Sequence, residues 1–113
     1  MELQFLLMVD TKRSNDEIIF HLKEQLSDVT SVRSRSFDWL NNWVQVWEND
    51  DFDPEKALDS EEGFLYYPFR IEVSPVAEEV TLEHQLVVAR SLRASLEMLN
   101  AKVQICADFE DML

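Results

Sequence analysis

Glycine, proline, cysteine and cationic residues are all scarce in this chain of 113 residues, which has one Gly, three Pro, one Cys and ten Lys or Arg. The lone Gly63 cannot build a glycine-rich loop around a phosphate, and no serine stands in a Gly-x-Ser-x-Gly elbow. The lone Cys106 excludes an internal disulfide framework and a cysteine-rich zinc site, and accords with a reducing compartment. No apolar run approaches the ~20 residues that span a bilayer. The apolar start, Met1 to Val9, is short, lacks a basic leading region and is cut off by Asp10, so it reads as a strand rather than a signal segment. The expected location is the cytoplasm.

Against ten cations stand 23 acids, giving a formal charge of −13. Such an excess repels phosphate backbones and anionic lipid surfaces, so neither nucleic acid nor membrane is expected as a partner. The cations do not gather to offset this: Lys12 with Arg13, Arg33 with Arg35 and Arg90 with Arg93 are three separated pairs. A basic protein is the expected partner. Hydrophobic residues make up 46% of the chain, including three Trp, two Tyr and seven Phe, enough to build a core without disulfides. The reading is one domain over residues 1–113, carrying an acidic loop at 48–62.

Period-two patterning over Leu3, Phe5, Leu7 and Val9 predicts an interior strand, since Leu6 and Met8 make the second face apolar as well. Ser14 and Glu17 form a capping-box spacing ahead of Ile18, Ile19, Leu22 and Leu26, which predicts a helix from Asn15 to Leu26. Alternation over Val29 to Phe37 predicts a half-exposed strand. From Phe37 to Trp47 the apolar positions fit helix or strand, but adjacent Asn41 and Asn42 favour a turn and leave a strand at Trp43 to Glu48. Glu48 to Glu62 holds eight acids and one Lys, and reads as a solvated loop with a helical turn near Lys56 to Leu58. Phe64 to Val73 reads as a strand that Pro68 confines to an edge or forces to bulge. Thr81 caps a helix with Leu82, Leu86, Ala89, Leu92, Leu96 and Leu99 on one side; Asn100 stops it, and Val103 to Ala107 is a last strand. With Val29 to Glu48 counted as one strand broken at Asn41-Asn42, the expected fold is α+β, a ferredoxin-like βαββαβ antiparallel sheet with two helices on one face and with its first and last strands central.

Asp51, Asp53, Glu55, Asp59 and Glu62 fall on the ligand positions of an EF-hand loop, but Lys56 occupies the position that needs glycine and Pro54 precedes it. No metal and no cofactor is therefore expected. His21 and His84 have no paired ligand and read as surface histidines near acids, and Cys106 as a buried, inert thiol. Trp39, Trp43 and Trp47 recur every four residues. In an extended segment Trp43 and Trp47 share a face, with Tyr66 and Tyr67 on the adjacent strand. A sheet covered on one side must leave some of these rings on its other face, where aromatics rimmed by acids make a protein interface.

Gly63-Phe64-Leu65-Tyr66-Tyr67, Arg70-Ile71-Glu72-Val73 and Cys106-Ala107-Asp108-Phe109-Glu110-Asp111 resemble segments of small acidic bacterial proteins without assigned activity, some of them similar to immunity proteins of toxin systems. The resemblance covers Trp43 onwards. It implies a single-domain protein that acts by binding and carries over no catalytic residue. The expectation is a non-enzymatic binding module for a basic partner, with Trp43, Trp47, Asp50, Asp51, Asp53, Tyr66, Tyr67, Asp108, Glu110 and Asp111 at the interface. The alternatives are a homodimeric small-ligand or regulatory domain joined through the open face and, third, a metal-assisted hydrolase using the carboxylates.

Overall fold

The computed structural model describes all 113 residues. Strand β1 (Phe5–Asp10) leads to helix α1 (Asn15–Gln25), then to β2 (Ser36–Trp39), β3 (Asn42–Glu48) and β4 (Phe69–Pro75), to helix α2 (Leu82–Glu97) and to β5 (Lys102–Cys106). The five strands form one antiparallel sheet in the order β2-β3-β4-β1-β5. The fold is thus α+β, but the element order β-α-β-β-β-α-β departs from the six-element ferredoxin-like expectation by one strand.

Both helices begin where the caps place them. Ser14 Oγ accepts from Glu17 N while Glu17 Oε1 accepts from Ser14 N, each at 3.2 Å, and Thr81 Oγ1 accepts from His84 N at 3.1 Å. These bonds satisfy amides that the first helical turn leaves unpaired. The register puts Phe37, Val44, Val73 and Phe5 in one row and Val46, Ile71, Leu7 and Ile105 in the next. Ile18, Ile19 and Leu22 of α1 and Val88, Ala89, Leu92 and Leu96 of α2 close over these rows in a single buried cluster. Both helices therefore cover the same face of the sheet.

Four expectations need correction. Val29 to Phe37 is not a strand: Asp28 and Ser31 take positive φ, Arg33 N donates to Ser36 O, and only Thr30 bridges to Asp38 before β2 starts at Ser36. The strand expected from Phe64 begins at Phe69, because Gly63–Tyr66 winds into a 3-10 turn, and Pro68, just outside it, removes no ladder bond. β4 is then the middle strand of the sheet rather than an edge. β5, expected to be central, is an edge strand paired only with β1, whereas the outer side of β2 is blocked by Thr30.

The hairpin between β2 and β3 is a two-residue turn in which Leu40 and Asn41 have φ of 46° and 59°, as a type I′ turn requires. Asn tolerates this geometry and Leu does not. The strained Leu40 is held by its carbonyl, which accepts from Asn42 Nδ2 at 3.0 Å and from His84 Nε2 at 2.6 Å. Asn42 is itself fully buried, and with Gln85 of α2 it exchanges two bonds of 2.9 Å. Removing one amide strands the other in an apolar surround. Asn42→Ala is expected to destabilise the protein by ~2 kcal/mol or more in urea unfolding; a loss within ~0.5 kcal/mol, typical of a surface change, would contradict the role given to this pair.

Candidate functional site

The face opposite the helices is the candidate site, and strand parity decides what it carries. With Val44 and Val46 turned inward, Trp43, Gln45 and Trp47 turn outward, beside Asp38 of β2 and Ser74, Glu72 and Arg70 of β4. Trp43 and Trp47 are 40% and 39% exposed, whereas Trp39 is 6% exposed. Trp39 lies on the inward parity of β2 with Phe37, and its Nε1 donates to Ser27 O at 2.8 Å. The two outward indoles, four strand residues apart, stand ~13 Å from each other along β3. Trp47 Nε1 donates to Glu72 Oε2 at 3.2 Å, and Arg70 Nε lies 3.5 Å from Glu72 Oε1. Glu72 thus fixes one indole and balances the one cation beside it.

The acidic segment after β3 is built by its own side chains. Asn49 Nδ2 donates to the carbonyls of Leu65 and Tyr67, closing the loop at its base. Asn49 Oδ1 accepts from Asp51 N, Asp53 Oδ1 from the amides of Glu55 and Lys56, and Asp59 Oδ1 from those of Glu61 and Glu62. These are turns of the kind Asn and Asp form with their own backbone. The expected helical turn is present as a 3-10 turn at Lys56–Leu58. Gly63 lies against it so closely that a Cβ there would sit 2.4 Å from Ala57 O, which explains why the single glycine is at this point. The amides of Glu62 and Glu61 hold the Asp59 carboxyl below the ordinary aspartate range. A lowered folded value means that these bonds support the loop at neutral pH and fail as the pH falls through that value, below about 4. The carboxylates at the EF-hand positions do not converge: no group of three or more His, Cys, Asp or Glu in the protein is arranged to hold a metal ion. Asp50 and Asp51 face solvent just past the end of β3, and Asp53 is half-buried in its turn.

Tyr66 and Tyr67 are not on a strand beside Trp43 and Trp47. Tyr66 closes the 3-10 turn Gly63–Tyr66, where Lys56 Nζ stands 5.2 Å from its ring centroid. Tyr67 follows it, half-buried, and burial together with the Asp10 carboxylate pushes its hydroxyl pKa up. This 3-10 turn contacts β1. It accounts for the outward-facing Met8, which is buried yet lies outside the helix-side core. The helix-free face is consequently open over β3 and partly covered over β1.

Beyond that cover lies a hollow of about 720 Å3, with Leu6, Phe64, Leu65 and Ala107 as apolar walls and with Glu2, Glu72, Asp108 and Glu110 around it. The C-terminal tail shapes its rim. Phe109 is buried edge-on against Phe5, with centroids 5.5 Å apart, Asp108 Oδ2 accepts from Glu2 N at 2.7 Å, and Arg90 Nη2 donates to Met112 O at 2.8 Å. Asp108 and Glu110 therefore join Glu72, and through it Trp47, on one side of the molecule. Asp111 instead borders a small groove with Arg93 and the outer edge of β5. Sequence patterning had not singled out Glu72, Leu6 or Phe64; the one available signal was the apolar second face of β1, which demands a cover.

The histidines serve as cross-links between elements. His21 Nε2 donates to Ser95 O at 2.6 Å, tying α1 to α2, as His84 ties α2 to the hairpin turn. Cys106 is half-buried on the hollow's wall rather than in the core. Burial, with a smaller contribution from the Glu110 carboxylate, raises its pKa. At pH 8 most of this thiol is protonated, so alkylation by iodoacetamide is expected to be slow, with Glu110→Gln moving the midpoint of the rate profile to lower pH. An unmoved midpoint would place Glu110 too far from the thiol to act on it.

Comparison of the chain with protein-family models, with curated proteins and with solved structures gives no match, so the functional reading rests on the geometry of this face alone.

Proposed function

We propose that this protein is a non-enzymatic, acidic binding module that docks a basic protein partner on its helix-free face, as an immunity or antitoxin protein docks a toxin. The observation that supports it is the pair Trp43 and Trp47, each about two-fifths exposed on a sheet face that also bears Asp38 and Glu72. Exposed indoles in a carboxylate setting match the aromatic anchors and charged rim of protein interfaces. The chain's surplus of acid, −13 overall, supplies long-range attraction for a basic protein and opposes pairing with a second copy of itself. In this reading Trp43 and Trp47 are the anchors, and Asp50, Asp51, Asp108 and Glu110 steer. Asp53, Tyr66 and Tyr67 hold the loop in shape, and Asp111 lies at the margin. The sheet is read as a ferredoxin-like unit, β3-β4-β1-β5 with two helices, that is widened by the extra hairpin strand β2. The location is read as cytoplasmic, in keeping with the unpaired Cys106.

Affinity capture from the source lysate at low salt, with the native chain and the Trp43→Ala/Trp47→Ala variant side by side, tests the reading. A basic protein retained by the native chain and lost from the variant is expected. With that protein in hand, stopped-flow association should slow by about tenfold between ~20 and ~500 mM salt, while single Trp→Ala changes raise the dissociation rate by about tenfold or more, the size of a hot spot near 2 kcal/mol. An association rate indifferent to salt, or capture indifferent to both indoles, would overturn it.

A further inference from the structure

The hollow beside β1 combines apolar walls with four acidic residues, and no cation is among its lining residues. In the acidic loop the carboxylates of Asp53 and Asp59 are instead taken up by backbone amides. In the hollow the carboxylates of Glu2 and Glu110 are exposed and make no side-chain hydrogen bond or ion pair, above walls supplied by Leu6, Phe64 and Leu65. A wholly apolar occupant would strip water from those carboxylates without replacing it, and a small polar one would leave the walls wet. A lysine or arginine side chain meets both demands, laying its methylene stem on the walls and its charged head on the rim.

We infer that this hollow is a docking site for a Lys- or Arg-bearing segment of the basic partner, its methylene stem laid between Leu6 and the 3-10 turn Gly63–Tyr66. The inference rests on the binding reading above and adds to it a second, separate anchor point, since the indoles stand over β3 and the hollow over β1 and β5. Glu72 connects the two, bordering the hollow with its carboxylate and holding Trp47 by the indole N–H. The charge complement is specific in sign: the unpaired carboxylates of Glu2 and Glu110, with no cation among the lining residues, favour a basic segment over an acidic one.

The probe is a short, end-blocked peptide alternating lysine and leucine, with a glutamine-for-lysine version as control, followed by amide chemical shifts of the full chain at low salt. Shifts are expected at Leu6, Phe64, Leu65, Cys106 and Glu110, absent with the control peptide. The Glu2→Gln/Glu110→Gln variant, whose unperturbed spectrum elsewhere reports an intact fold, should weaken binding about threefold or more. Shifts confined to Trp43, Trp47 and residues 50–62, or an affinity unchanged in the double variant, would overturn the hollow while leaving the binding reading standing. No salt-sensitive binding of the lysine peptide anywhere on the chain would overturn both.

Discussion

Asn42 and Gln85 exchange two hydrogen bonds in full burial, and each donates a further one to a backbone carbonyl, Asn42 to Leu40 and Gln85 to Leu3. Four polar groups that would each be costly to bury alone are thereby satisfied together. The pair joins the start of β3, the first turn of α2 and the chain ahead of β1. Its consequence for function is one of parity. Asn42 points inward, so Trp43 points outward, and with period two Val44 and Val46 enter the core while Trp47 follows Trp43 onto the open face. A slip of one residue would reverse the whole strand, burying the indoles and exposing the valines.

The second constraint is the apolar outer face of β1. Leu6 and Met8 cannot both be left to water, and the chain buries Met8 while leaving Leu6 half-buried beside its own loop. That loop is held by Asn49 and by the contact at Gly63, and two of its acids, Asp53 and Asp59, form its turns. The high acid content of residues 48–62 thus has two sources: carboxylates that accept backbone amides, such as Asp53 and Asp59, and carboxylates left to solvent, such as Asp50 and Asp51. Only the second group is free to act on a partner. The cover also divides the helix-free face into an aromatic part over β3 and a concave acidic part over β1 and β5, linked by Glu72.

Local chemistry made much of this legible. The capping box at Ser14, the Thr81 cap, the turn at Asn41, the stop at Asn100 and the shared face of Trp43 and Trp47 all follow from residue type and spacing, because each is decided within a few positions. Long-range facts were less accessible. Alternation at Val29 to Phe37 resembled a strand, yet positive φ at Asp28 and Ser31 turns the chain there, and neither is a residue type that forces that geometry. Pro68 suggested an edge, because its missing donor matters only if it lies inside the ladder, and the 3-10 turn before it moves it outside. The hollow and the amide pair depend on residues brought together from more than 40 positions apart, Leu6 and Phe64 around the one and Asn42 and Gln85 in the other, which no local pattern encodes.

The account turns on a sheet face that presents two indoles to whatever approaches it while the third is sealed away. Hydroxyl-radical footprinting read by mass spectrometry reports each tryptophan separately in the free protein. Trp43 and Trp47 should oxidise several-fold faster than Trp39, in keeping with exposures of 40% and 39% against 6%. Uniform protection of all three, with the fast signal on Val44 or Val46 instead, would show the strand facing the other way and would leave the proposed interface without its anchors.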